Sequence, residues 1–388
     1  MPIREIDLLA ESVLADPYSF YSTLREEQRL YRDGRTGAWL VSRYHDCVEV
    51  LRDTTRFTSD PATAGFAPAR ADYTMQTMDP PEQLALREVF TAACRAQRAE
   101  VLATAVRRFA SAILTNLAAR PVADLLADYF KPVALYAICE LVGIPATQRA
   151  VVAESAETMA ASMDGVLDPE RRAAAIGSRT ALSRVVDSCL RSSDGSGVLG
   201  HVARNHRRLD VPRSVLVHSF RLLLSPGYMS VATAAANAFV ALRAHNLPLT
   251  CLSRDTGVDE LLRYCGPVQA LGRLCRSDFD FRGTPVRKGE LVLALLGAAN
   301  RDPERFPGAD DIRLDRRPNP HLAFGWGTHS CLGTSTARLV LSAAFGRLAD
   351  QFPAAELVSE PRYAVRAVVR APEALPVRLT RGSEGAIR

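Results

Sequence analysis

Residues 321–333 read His-Leu-Ala-Phe-Gly-Trp-Gly-Thr-His-Ser-Cys-Leu-Gly and concentrate the reactive chemistry of the chain. Gly325, Gly327 and Gly333 let the backbone turn sharply and approach a bulky flat group. Cys331 then offers one sulfur, with no second cysteine or histidine at zinc-like spacing. A lone thiolate in a glycine-rich loop suits a metal whose other ligands come from a macrocycle, as in haem iron held by cysteine. The bland reading is a buried free cysteine used for packing.

A second reactive stretch is Leu223-Leu224-Ser225-Pro226-Gly227-Tyr228-Met229-Ser230-Val231, inside the most apolar long helical pattern, 211–245. Proline removes one helical hydrogen bond and clashes with the preceding turn, so Pro226-Gly227 marks a kink and a local opening. The alternative is a helix that ends there and restarts. Gln83 and Arg87 lie four apart on a helix opened by Asp79-Pro80-Pro81-Glu82. Glu260 and Arg263 lie three apart on another, a spacing usually found in surface ion pairs.

The elements that must position these groups follow from pattern. Helices are expected over 18–27, 45–51, 100–117, 122–142, 148–163 and 170–190, and short strands over 38–41, 268–275, 279–281 and 291–294. Strands at 365–371 and 375–379 should flank a tight turn. The loop 58–74 is rich in Pro, Gly, Ala and Ser, and 192–197 reads as a flexible insert.

Taken together, Phe324-x-x-Gly327-x-His329-x-Cys331-x-Gly333, the Asp-Pro-Pro-Glu helix, Glu260-x-x-Arg263 some seventy residues before Cys331, and Ala299-Asn300-Arg301-Asp302-Pro303-Glu304-Arg305-Phe306-Pro307 resemble the cytochrome P450 family, in the correct order from about residue 16 to 379. The resemblance implies a mainly α fold with small β-sheets. It would be a triangular helix-rich prism, one domain over 1–388 with a smaller N-terminal/C-terminal β region. Haem b would lie between the long central helix and the cysteine loop, with Cys331 as axial thiolate.

By the same resemblance Arg87, Arg273 and His329, assisted by Gln83 where many members have histidine, would neutralise the haem propionates. Phe324, Gly325 and Gly333 would shape the loop. Tyr228, Met229, Val268, Ala270, Leu271, Val368 and Val369 would reach substrate, with residues near 159–167 in its roof. Glu260 and Arg263 would lock the segment that frames the loop.

One departure stands out. Where the family has Ala-Gly-x-Asp/Glu-Thr, an acid and a threonine that relay protons towards dioxygen, this chain has Pro226, Gly227, Tyr228, Met229 and Ser230. The hydroxyl survives and the carboxylate does not, and a thioether shuttles no protons. Ser230 with water, or a polar substrate, would have to complete the relay. Otherwise the enzyme would abstract hydrogen and couple radicals into a C–C or C–N bond. The expected activity is hydroxylation or epoxidation of a small-molecule specialised metabolite. Oxidative coupling is the first alternative, and a non-catalytic haem-binding recruitment module is the alternative of another class.

Composition narrows the rest. The formal charge of +5 is carried by arginine, since Lys131 and Lys288 are the only lysines, and no basic block interleaved with aromatics suggests nucleic-acid binding. No apolar run reaches membrane-spanning length and the first residues lack a signal-peptide core, so a cytoplasmic protein is expected. The eight cysteines include no Cys-x-x-Cys pair. Electrons would come from a ferredoxin and its reductase, as the chain leaves no room for a fused flavin domain. Arg95, Arg98 and Arg338 would meet that partner or stand as plain solvated arginines. A monomer is expected.

Overall fold

In a computed structural model the chain is described over residues 7–27, 30–68, 73–163, 169–192, 195–205 and 211–381. Part of the loop 58–74, part of the roof segment 159–167 and the centre of the insert 192–197 therefore lie outside the described residues. Helices dominate. The N-terminal part carries α1 (Glu11–Ala15), α2 (Pro17–Glu27), α3 (Tyr44–Arg52), α4 (Glu82–Arg95) and α5 (Ala99–Leu117). Next come α6 (Lys131–Val142), α7 (Arg149–Ala161), α8 (Pro169–Ala174), α9 (Ile176–Arg191) and α10 (Gly197–Asn205). The long α11 (Arg213–Ala244), α12 (Asp255–Cys265), the short α13 (Leu296–Ala299) and α14 (Thr334–Gln351) complete the set.

The helix α11 is the axis of the core. Phe220, Leu224, Phe239 and Leu242 are fully buried, and they share one apolar cluster with Phe90, Val106, Phe130, Val186 and Phe345 from five other segments. Each such side chain contributes about 1.5–3 kcal/mol by leaving water. The helix runs through Pro226 without ending. Burial on several sides outweighs the one backbone bond that proline removes.

Two expected helices are divided. The pattern at 122–142 yields a strand, β4 (Val122–Asp124), then a π-helical turn at Leu126–Phe130, and only then α6. Asp124 causes the break: its carboxylate accepts from the Leu126, Ala127 and Leu375 N–H groups, which pins the chain to the C-terminal segment. The pattern at 170–190 is split into α8 and α9 at Ala175.

The main sheet has the order β1 (Tyr31–Arg32), β2 (Trp39–Val41), β8 (Leu291–Leu295), β5 (Ala270–Cys275), β3 (Phe57–Thr58). It thus joins N-terminal strands to strands from 270–295, with β2 parallel to β8 and the other pairs antiparallel. A two-stranded ribbon pairs β6 (Phe279–Phe281) with β7 (Thr284–Val286). The strands expected at 365–371 and 375–379 do not pair with each other. Val369 makes an isolated bridge to Val268, whereas β10 (Pro376–Arg378) lies between β4 and β9 (Glu356–Leu357). Among the described residues no helix is long and apolar enough to cross a membrane.

Candidate functional site

The cysteine loop is built from its own backbone. Cys331 N–H donates to Phe324 O at 2.8 Å, closing the loop, and Gly327–His329 forms a single 3₁₀ turn inside it. Gly325 and Gly327 have φ of +67° and +75°. A Cβ on Gly327 would lie 2.8 Å from the Leu51 carbonyl oxygen, so only glycine fits where the loop crosses the end of α3. Of the eight cysteines Cys331 alone is exposed. Its Sγ accepts from the Gly333 N–H at 3.3 Å, just before the N-terminus of α14, an arrangement that favours negative charge on sulfur. Surrounding protein atoms push the thiol above its ordinary value, while Gly333, Thr334 and Arg87 act against that rise. Among the described residues no three His, Cys, Asp or Glu side chains cluster as a metal site.

Beside the loop two guanidiniums stand without carboxylate partners among the described residues. Arg87 of α4 donates from Nη2 to Ser330 O at 2.6 Å and Ser330 Oγ at 3.2 Å. Arg273 of β5 is 8% exposed and makes one bond, to its neighbour Gly272 O. Burial lowers its pKa to about 10, with Asp79 opposing. His329 is pushed down to about 4, by burial first and then by Arg273, with Arg87 adding and Asp79 opposing. Asp79 itself is engaged by Thr58, Ser59 and Arg276. Gln83 is fully buried and donates to Thr328 O, and its Oε1 and the Thr328 hydroxyl both lack partners among the described residues.

Sheet alternation decides which residues of β5 join this group. Leu271 reaches the loop, its Cδ1 3.3 Å from where a Gly325 Cβ would be, and Arg273 follows two residues on. Ala270 faces the other way, into a cluster with Tyr21, Leu24 and Leu293. It lines a small cleft there together with Val368. Val268 and Val369 face each other across their bridge.

On α11, the Tyr228 side chain leaves towards α7. It is 2% exposed and its hydroxyl meets Glu157 Oε1 at 3.2 Å, which in turn pairs with Lys131 at 2.9 Å. Gly227 packs on Ile138 of α6, where a Cβ would lie 3.0 Å from Ile138 Cδ1. Met229 is buried, and Pro226 and Ser230, four apart, are half-buried on one helical face.

The pair Glu260 and Arg263, whose spacing alone suggests a surface pair, is wholly buried. Arg263 donates from Nε and Nη2 to the two oxygens of Glu260 at 2.9 and 2.8 Å, and to Asn300 O, Ala309 O and Asp311 O. Arg316 adds two further bonds to Glu260, at 3.0 and 3.1 Å, and Asn319 adds one. Arg316 and Asn319 escape sequence reading because they lie over fifty positions from Glu260, with no periodic signal linking them. Arg338 also differs from expectation: it is no free surface cation. It forks onto Asp259 at 2.7 and 3.1 Å and covers the Phe324 ring.

Residues 253–365, which hold the buried pair and the cysteine loop, match the family model described as Cytochrome P450. The cytochrome P450 monooxygenase PikC of Streptomyces venezuelae is 30% identical over 100% of this chain and 97% of its own length. The chain belongs to the cytochrome P450 family. Mycinamicin IV hydroxylase/epoxidase of Micromonospora griseorubida is 32% identical, over 88% of this chain and 89% of that protein. Among solved structures, the bacillaene polyketide synthase cytochrome P450 PksS of Bacillus subtilis superposes with a TM-score of 0.87 at 25% identity, covering 97% of this chain and 100% of that one.

Membership makes the chain an oxidoreductase of the P450 type, and the family cofactor is haem b. The residues present suit that group. Haem b brings four nitrogen ligands and needs one more donor, which an accessible lone thiol offers. It also carries two carboxylates, and two guanidiniums that no carboxylate bonds among the described residues, one of them buried, are costly unless anions meet them.

Proposed function

We propose that this chain is a single-domain oxygenase that hydroxylates or epoxidises a small-molecule specialised metabolite, with electrons from a ferredoxin and its reductase. The observation that carries this reading is the lone accessible thiol of Cys331 set in its loop beside the unpaired guanidiniums of Arg87 and Arg273. The similarity to a mycinamicin IV hydroxylase/epoxidase supports the reaction class. When bound, haem would supply the dioxygen chemistry, and Cys331 would hold its iron through the thiolate sulfur.

The chain's own residues hold and shield. Gly333 N–H steadies the Cys331 sulfur, and Arg87 and Arg273 form the electropositive side that would receive the propionates, with His329, kept neutral by burial and by Arg273, and Gln83 assisting as hydrogen-bond donors. Phe324 and Gly325 shape the loop, and Leu271 closes it from the sheet. Pro226, Gly227, Met229 and Ser230 form the turn of α11 that faces substrate, while Val268 and Val369 contribute apolar contacts from the bridged segments. Tyr228 acts from behind, fixing α11 against α7 through Glu157.

Proton supply is the weak point. Placed acids and bases contribute about 10²–10⁴-fold to rate, and Met229 has no exchangeable proton. Ser230 is the hydroxyl that remains on that turn, and water or a substrate hydroxyl completes the route. The same methionine favours a second reading, radical coupling of substrate carbons or nitrogen without oxygen insertion. Turnover of a candidate substrate under labelled dioxygen separates the two. Label in the product supports hydroxylation or epoxidation, and loss of two hydrogens without label supports coupling.

A further inference from the structure

One residue before Glu260, a second carboxylate serves a different set of partners. Asp259 of α12 accepts a fork from Arg338 of α14, Nε to Oδ1 at 2.7 Å and Nη2 to Oδ2 at 3.1 Å. His321, at the entry to the cysteine loop, brings its Nε2 to 3.5 Å from the same Oδ1. The His321 Nδ1 accepts the Ala323 N–H at 3.2 Å, so the ring hydrogen sits on Nε2, the nitrogen beside Asp259. One carboxylate thus joins α12, the loop entry and α14.

These groups surround Phe324. Arg338 Cζ lies 5.3 Å from its ring centroid, and the His321 ring lies 5.6 Å from it, tilted by 45°. The backbone oxygen of the same phenylalanine accepts the Cys331 N–H at 2.8 Å. A chain of contacts therefore runs from Asp259 through Arg338 and His321 to Phe324, and from there to the backbone of Cys331.

The pair is also electrically balanced. Burial alone would raise the Asp259 pKa, but His321 and Arg338 more than offset it and hold the carboxyl below its ordinary value. One negative and one positive charge therefore face each other at neutral pH. The Arg338 and Asp259 side chains are 29% and 23% exposed, so water screens them only in part. Removing either charge leaves the other acting on the loop. Groups behind a metal-binding side chain tune its metal in this way, through orientation and through charge.

We propose that Asp259 and Arg338 are positioning residues for Cys331: they fix Phe324 against the loop, and their mutual neutrality sets how readily the loaded site accepts an electron. The inference rests on Cys331 holding the haem iron. A lone cation beside that centre favours the reduced state, which carries one more negative charge, and a lone anion disfavours it. The test is a spectroelectrochemical titration of the haem-loaded protein at about pH 8, above the ordinary histidine range. Asp259→Asn should raise the equilibrium constant for reduction about threefold, or about 28 mV for one electron, and Arg338→Gln should lower it by a similar factor. The double variant should return close to the parent value, and Arg338→Lys, which keeps the charge, should stay near it. Structural damage alone would move both single variants the same way and the double variant further. Should Asp259→Asn not take up haem, the contrast of Arg338→Gln with Arg338→Lys still decides. Shifts of one sign in both single variants, no shift in either, or equal shifts for Arg338→Gln and Arg338→Lys overturn the inference. In those cases a red-shifted carbon monoxide spectrum in the parent leaves the reading of Cys331 standing, whereas a parent without that spectrum overturns both.

Discussion

At the scale of the residue, Cys331 and Met229 divide the chemistry. Cys331 bears no packing load: it is exposed, and its side chain accepts one bond, from Gly333. Cys331→Ser should therefore leave the fold intact by circular dichroism while abolishing the red-shifted carbon monoxide spectrum of a thiolate-ligated haem. Met229 is the converse, a buried side chain where the family resemblance implies an acid. A glutamate at this place would be partly desolvated, which raises its pKa and keeps a transferable proton near neutrality. If the proton route is impaired, Met229→Glu should raise product formed per reductant consumed by about tenfold, a fraction of the roughly 10²–10⁴-fold that placed acids supply to rate. An unchanged coupling ratio would show that Ser230 and water already suffice.

At the scale of the element, the segment before the loop is locked by a buried carboxylate. Burial alone would raise the Glu260 pKa, but Arg263, the Arg313 N–H and Arg316 more than offset it and hold it below its ordinary value. Its contribution to stability is therefore present above the ordinary carboxylate range and lost as pH falls through the lowered native value. Glu260→Gln should cost about 3–5 kcal/mol in denaturant unfolding at neutral pH, because Arg263 and Arg316 lose their buried counter-ion. It should also remove part of the acid-induced loss seen in the parent protein. In the loop, Gly327→Ala combines a left-handed backbone with a Cβ only 2.8 Å from Leu51 O. The backbone term alone costs about 1–2 kcal/mol, and reduced haem retention during gel filtration is the expected readout.

At the scale of the whole molecule, surface charge bears on electron delivery. Arg95 and Arg98 are exposed at the junction of α4 and α5, whereas Arg338 is committed to Asp259. Arg95→Glu with Arg98→Glu should slow ferredoxin-driven reduction by about tenfold at low salt and less at high salt. Arg338→Gln should instead lower thermal stability and leave the salt dependence unchanged. Local patterns made much of this molecule legible: the loop glycines around Cys331, the amphipathic helices and the 279–281 strand all follow from short-range sterics and periodicity. The thioether at Met229, where the resemblance implies an acid, is equally plain, since a residue type needs no fold to be read. Tertiary structure alone decided that Asp124 breaks a helix by binding Leu375 N–H, that Arg316 completes the Glu260 cluster, and that Ala270 and Tyr228 turn away from the cysteine loop. The Arg316 and Asp124 outcomes depend on partners 56 and 251 residues distant, and the others on which face of a strand or helix meets its neighbour. Local periodicity identifies faces, but only packing assigns each face its neighbour.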